Sequence, residues 1–226
     1  MLDTPRVGWY VFFVNDTTIA IKEEAAMCMC TLVTKEAPDF TADAVMPDGT
    51  FGQIKLSSFK GKYVILFFYP LDFTFVCPSE ILAFNKKIEA FKQKNCEVIG
   101  VSVDSKFTHF AWRNTAVENG GIGNIQYPLV ADLKKEITNA YGVLHEGAGV
   151  AFRGLFLIDT KGVIRHALVN DLPLGRSVNE ALRMLDALQF VETHGDQVCP
   201  ANWQEGDDAM KPTAEGVASY LAKHGK

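Results

Sequence analysis

The sequence predicts an α/β protein, a mixed central β-sheet flanked by helices and followed by a C-terminal arm, and three observations carry that expectation. Two apolar runs of strand length, Tyr63 to Tyr69 (YVILFFY) and Glu97 to Asp104 (EVIGVSVD), read as strands covered on both faces. Between them, Ile81, Phe84, Ile88 and Phe91 fall three or four residues apart, the spacing of an amphipathic helix. Strand, helix and strand in close succession form a βαβ unit, which calls for parallel pairing and a right-handed crossover. Further on, Phe152 to Asp159 and Val163 to Val169 flank the turn Thr160-Lys161-Gly162 and read as an antiparallel hairpin. Ser177 to His194 is the last long helix of the core, with Val178, Ala181, Leu182, Leu185, Leu188 and Phe190 on its inner side.

From the start of the chain, Met1 to about Met29 differs from the rest. VGWYVFFV is too short to span a bilayer and lacks a lysine-rich flank or a clear small-residue cleavage site, so it is not read as a signal. An edge strand, a loosely ordered segment or a non-essential extension from an upstream translation start are the open alternatives. Cys28 and Cys30 form a lone Cys-x-Cys without a second ligand pair, a weak metal signal. Residues 1–30 are therefore expected to be an N-terminal extension, 31–194 the main domain and 195–226 a C-terminal arm. In the main domain, Phe40 to Phe59 alternates around Pro47-Asp48-Gly49, a hairpin signal, and Phe59-Lys60-Gly61-Lys62 closes onto the first apolar strand. Lys106 to Glu118 reads as a helix ended by Gly120-Gly121-Ile122-Gly123, a loop whose spacing fits neither phosphate-binding fingerprint. Pro128 to Ala131 is a short strand and Leu133 to Tyr141 a short helix.

The chain has 226 residues, 48% of them hydrophobic, enough to bury one sizeable core without disulfides. Its net charge is -5 and no run of lysines or arginines occurs, which argues against a nucleic-acid or anionic-membrane surface. Five cysteines, at 28, 30, 77, 96 and 199, argue against a secreted disulfide framework and for a reducing, cytoplasmic setting in which some thiols do chemistry.

Cys77 is the first such thiol. Pro70 ends the apolar strand, and a loop with Asp72 and Thr74 leads to Cys77-Pro78 at the start of the amphipathic helix. Proline favours the first helical turn, so Cys77 lies at or beside the N-cap, facing unpaired backbone N–H groups and the positive end of the helix dipole. The thiolate is the nucleophile, and at an ordinary pKa of about 8.5 only ~3% of a cysteine is ionised at neutral pH, so such a setting raises reactivity. A buried cysteine acting as a small hydrophobe is the competing reading, and the one adopted for Cys96 at the start of the second strand.

YPLDFTFVCPSE strongly resembles the active-site segment of the peroxiredoxins, whose Pro-x3-Thr-x2-Cys pattern is met by Pro70, Thr74 and Cys77. Tyr69, Asp72, Phe73, Phe75, Pro78 and Glu80 also match, and Ser79 replaces the usual threonine while keeping the hydroxyl. The order of elements is compatible with a thioredoxin-like fold, but Glu80 stands where oxidoreductases of that fold carry a second cysteine. An oxidation partner for Cys77 must then come from elsewhere in the chain or from another molecule.

Arg153 opens a strand between apolar residues, and Arg176 precedes the last core helix. Surface arginines or solvated ion pairs are the plain readings, but both segments resemble family motifs. The resemblance implies that Arg153 contacts the reactive sulfur while Arg176 and Glu80 hold it in place. Val198-Cys199-Pro200-Ala201-Asn202-Trp203 resembles the resolving-cysteine segment of typical two-cysteine peroxiredoxins, a group that includes thioredoxin peroxidases and the peroxidase component of bacterial alkyl hydroperoxide reductase. The resemblance runs from about Thr31 to Lys226.

It implies a peroxidase in which Cys77 thiolate attacks a hydroperoxide, Thr74 and Arg153 polarise the O–O bond and Pro70 shields the site. Cys77 sulfenic acid would then condense with Cys199 of the facing protomer. Thioredoxin or a flavoprotein disulfide reductase would restore the thiols. No metal, flavin or other cofactor is called for. A homodimer assembling to a decamer is implied as well. Gly120 to Gly123 and Val217 to Leu221 resemble the loop and tail that slow disulfide formation in peroxide-sensitive members. Leu221 stands in place of the family phenylalanine, from which intermediate sensitivity of Cys77 to over-oxidation is expected. The rival expectations are a protein thiol-disulfide exchanger and a non-enzymatic holdase or scaffold.

Overall fold

The computed structural model describes residues 10–14, 17–21 and 31–225. The chain divides into two compact units, 1–31 and 32–226. In the first, β1 (Tyr10–Val14) pairs antiparallel with β2 (Thr17–Ile21) as a two-stranded sheet of its own. Cys28 and Cys30 lie outside the described residues.

The second unit is built on a seven-stranded mixed sheet. Its strands are β3 (Thr41–Val45), β4 (Phe51–Lys55), β5 (Tyr63–Phe68), β6 (Cys96–Ser102), β7 (Leu129–Ala131), β10 (Arg153–Ile158) and β11 (Ile164–Asn170), in the order β11-β10-β5-β6-β7-β3-β4. The central pairs β5/β6 and β6/β7 are parallel, with Tyr63 opposite Cys96, and the outer pairs are antiparallel. All six residues of β5 are buried, because successive side chains enter two different cores. Tyr63, Ile65 and Phe67 face one that holds Ile81, Phe84, Trp112 and Leu185, whereas Val64, Leu66 and Phe68 face one that holds Ile137, Tyr141 and Ile158. Burying each Ile, Leu or Phe contributes about 1.5–3 kcal/mol relative to exposure.

The helix expected after Cys77 is broken. It forms α1 (Cys77–Lys86) and α2 (Ile88–Gln93), with Lys87 between them at φ -106 and ψ 5. No proline or glycine marks the break; a tightened turn, Lys87 N–H to Phe84 O at 3.0 Å, lets both pieces bury their apolar residues. α3 (Lys106–Arg113) is shorter than its pattern, and Val117–Asn119 forms a separate 3-10 turn before the glycine loop. Gly120 takes φ 81, and a Cβ on Gly121 would stand 1.9 Å from Thr115 O, so the loop needs both glycines. α4 covers only Glu136–Ala140, and a small hairpin of β8 (Leu144–His145) and β9 (Val150–Ala151) precedes β10. α5 (Val178–Thr193) is capped by the Ser177 hydroxyl and buries Val178, Ala181, Leu185, Ala187 and Leu188. Phe190, expected on its inner side, instead packs on Trp203, ring centroids 4.8 Å apart. α6 (Ala214–His224) ends the chain with no buried residue. Among the described residues no helix is long and apolar enough to cross a membrane.

Candidate active site

Cys77 is the first residue of α1, at the C-terminal end of β5, and is fully buried. Val76 precedes it as the N-cap in helical geometry, Pro78 follows in the first turn, and no side chain caps this helix start. The arrangement follows from the sequence: the all-buried strand ends at Pro70, and the short loop must return the chain to a helix packed on the same face.

That loop is held from beneath by a buried polar cluster. The Asp72 carboxylate accepts from Tyr69 Oη at 2.8 Å and lies 2.7 Å from His109 Nδ1, and the Asp72 N–H donates to Asp104 at 2.9 Å. Burial pushes the Asp72 carboxyl up, opposed by its bond to His109. Phe73 then sits in the left-handed region at φ 53, a costly position for a bulky side chain that the surrounding bonds maintain. The Thr74 hydroxyl donates to Leu71 O at 2.7 Å, leaving its oxygen lone pairs free to accept. Pro70 is buried and Thr74 partly so, while Phe75 is 98% exposed.

Arg153, at the start of β10, reaches across to α1. Its Nη1 donates to Cys77 Sγ at 3.4 Å and to Glu80 Oε2 at 2.7 Å, and its Nε donates to Leu172 O at 2.7 Å. Arg176 engages Glu80 through its backbone N–H, Nε and Nη2 at 2.8, 2.8 and 3.0 Å, and its Nη1 donates to Phe68 O and Gly154 O. The Arg176 guanidinium also lies 5.3 Å from the Phe67 ring centroid, a cation–π contact. Glu80, Arg153 and Arg176 are all buried, so one carboxylate serves two fixed cations. Burial opposes ionisation of Glu80, but the Arg176 hydrogen bonds and the two positive charges outweigh it and hold the carboxyl below its ordinary value. A buried, rigid cation forked toward sulfur suits a thiolate and the charge that develops when a bond to it forms.

Four of the residues singled out in the sequence, Cys77, Glu80, Arg153 and Arg176, are thus brought into one bonded group, with Pro70 and Thr74 on the adjoining loop. Cys199 is elsewhere. It lies half-buried on α5, Sγ donating to Ala187 O at 3.7 Å, at a cavity of about 240 Å³ lined by Leu157, Arg165, His166, Met184 and Leu188. A bridge between Val198 and Met210 closes this C-terminal segment on itself, and it is tied to the domain by Arg183 donating to Trp203 O at 2.9 Å and by Lys94, which pairs with both Asp186 of α5 and Glu205. Cys77, Cys96 and Cys199 are free thiols. Burial pushes the Cys96 thiol up to about 12, in keeping with a structural cysteine. The sequence passed over His109 and Asp104, which hold the Cys77 loop; a histidine inside the apolar run FTHFAW was the available signal.

Known proteins resemble this chain in sequence and in fold. Residues 33–167 match the family model described as AhpC/TSA, and residues 187–223 match that of the C-terminal domain of 1-Cys peroxiredoxin. Peroxiredoxin-1 of Gekko japonicus is 57% identical over 85% of this chain and 96% of its own length, and peroxiredoxin-2 of Mus musculus 56% over the same shares. The crystal structure of reduced Plasmodium vivax 2-Cys peroxiredoxin superposes with a TM-score of 0.83 at 54% identity, covering 85% of this chain and all of that one. The second family model is named for one-cysteine proteins, yet in this chain the segment it matches contains Cys199. The chain belongs to the AhpC/TSA family, a peroxiredoxin of thioredoxin-like fold and a thiol-dependent peroxidase.

Proposed function

We propose that Cys77 is the residue that attacks the hydroperoxide, and the observation that carries this is the Arg153 guanidinium shared between its sulfur and Glu80. Arg153 stabilises the Cys77 thiolate and turns its donors to the peroxide oxygens as charge builds on the leaving group. Thr74, its own proton committed to Leu71 O, accepts the hydrogen of the hydroperoxide. The thiolate bonds to the terminal oxygen, the O–O bond breaks, and the leaving oxygen takes a proton to give water or an alcohol, with Cys77 left as sulfenic acid. Pro70 walls the site from solvent, and Glu80 and Arg176 keep Arg153 in place.

Residues 195–226 act as an arm that carries Cys199 to the Cys77 site of the partner protomer, where thiol and sulfenic acid condense to a disulfide and water. Thioredoxin or a flavoprotein disulfide reductase then restores both thiols by exchange. The homodimer is supported by β11, an edge strand with Val169 52% exposed, and its assembly to a decamer by an exposed aromatic surface. Phe51, Phe107 and Phe110 cluster there with centroids 5.3 to 5.5 Å apart and Lys106 over the rings. The working compartment is the cytoplasm, and residues 1–30 are an extension outside the peroxidase domain.

Reduced protein given one equivalent of hydrogen peroxide, followed by a non-reducing gel, tests this. Wild type is expected to consume the peroxide and run as a covalent dimer. Cys77→Ser is expected to consume none, and Cys199→Ser to react without forming the dimer. Wild type that reacts yet stays monomeric on the gel removes Cys199 from its role between protomers. A Cys77→Ser variant that still consumes peroxide removes Cys77.

A further inference from the structure

His166 shares the cavity at Cys199. It stands on β11 opposite Leu157, half-buried, and its ring makes no hydrogen bond among the described residues. The charged groups that face it are Glu180 and Arg183 from α5, bound to each other by two bonds of 2.7 Å. On its own strand Arg165 is held by Asp159 and Glu192. The arm presents the Cys199 thiol, which spends its proton on Ala187 O.

We propose that His166 accepts the proton of the Cys199 thiol in its seat against α5, before Cys199 attacks the Cys77 sulfenic acid, and that losing this proton releases the arm. The inference rests on the reading of Cys199 as the resolving cysteine. Burial leaves the imidazole uncharged with a lone pair to offer and the sulfur a thiol that needs a base; burial opposes the charged pair that the transfer creates, and the Arg183 charge near Cys199 and the Glu180 charge near His166 offset that cost. For the transfer the Sγ–H turns from Ala187 O into the shared cavity and its proton passes to the ring, with Arg183 on the side of the thiolate and Glu180 on that of the imidazolium. The sulfur can then no longer donate to Ala187 O and is repelled by that carbonyl oxygen, so activation and departure are one event. At the partner protomer the thiolate bonds to the sulfenic sulfur, the S–O bond breaks, and hydroxide takes up a proton. One thiol and one sulfenic acid give one disulfide and one water, and no further oxidant is consumed.

The test is a single turnover of the full-length protein with one equivalent of hydrogen peroxide, quenched by alkylation and resolved on a non-reducing gel across pH. His166→Gln is expected to slow disulfide formation about tenfold near neutral pH while Cys77 oxidation keeps its wild-type rate. Its rate should climb about tenfold per pH unit where wild type is already flat, because only ionised thiol then reacts. Added imidazole should restore His166→Ala. A slow His166→Ala that imidazole leaves slow makes the loss structural and overturns the proposal, as does a His166→Gln variant with the wild-type rate and pH profile. Wild type that forms no disulfide between Cys77 and Cys199 refutes the reading of Cys199 itself, a separate result.

Discussion

Replacing Glu80 by glutamine should remove a large share of the stability of the peroxidase domain without changing its shape. Each carboxylate oxygen of Glu80 accepts two bonds, Oε1 from the Arg176 N–H and Nε, Oε2 from Arg153 Nη1 and Arg176 Nη2. Glutamine keeps one acceptor and turns the other into an NH2 that faces two guanidinium donors. Two charge-assisted bonds, at about 1.5–3 kcal/mol each, are lost. Two buried cations also lose their counter-charge, and breaking a buried pair from one side costs about 3–5 kcal/mol in total. At a urea slope of about 2 kcal/mol per molar, a 4 kcal/mol loss moves the unfolding midpoint down by about 2 M. The pH dependence gives a second check. Glu80 is held below its ordinary value of 4.5, so its contribution is complete above that pH and is lost as pH falls through its lower folded value. The gap between wild type and Glu80→Gln should therefore narrow in acid. A midpoint shift under about 0.5 M, roughly 1 kcal/mol at that slope, or a gap that widens as pH falls, would refute the reasoning.

Arg153→Lys should cut the rate constant for peroxide reduction by about 100-fold in stopped flow, since an ammonium cannot serve Leu172 O, Glu80 and Cys77 Sγ from one planar fork. Wild-type kinetics in that variant would dismiss the fork. Cys96, 2% exposed and with its thiol near 12, should escape iodoacetamide in the native protein at mildly alkaline pH and react fully in urea, read by mass spectrometry. Gly121→Ala should lower the thermal midpoint by an amount equal to about 1–3 kcal/mol, because its Cβ meets the backbone oxygen of Thr115 rather than a side chain that can move. An unchanged midpoint would mean the glycine loop has another conformation open to it.

Strands with strong local signals were legible from the chain alone. Tyr63 to Tyr69 and Glu97 to Asp104 are apolar because both faces of a central strand are covered, and the turns at Pro47-Asp48-Gly49 and Thr160-Lys161-Gly162 carry their own chemistry. Lys87 was not legible as a helix break, since its cause is the packing of Ile88 and Phe91 rather than any local breaker. At the site, the placement of Cys77 at a helix start could be read from Pro78. The joining of Glu80 to Arg153 and Arg176 came only through resemblance, because it is made between residues 73 and 96 positions apart. His109 and Asp104 went unseen for the same reason, and so did the seat of Cys199 on α5, where the deciding partner is a backbone carbonyl that no sequence pattern marks.

The double duty of Glu80 bears on what this scaffold can be converted into. A designer wishing to turn the chain into a dithiol oxidoreductase would place cysteine at position 80, one helical turn from Cys77. That exchange deletes the anion that neutralises two buried guanidinium groups, and a neutral thiol cannot replace it. Only a thiolate could, and it would then be locked in an ion pair instead of free for exchange. The two redox chemistries thus compete for a single side chain, and a scaffold committed to one must rebuild Arg153 and Arg176 before it can adopt the other.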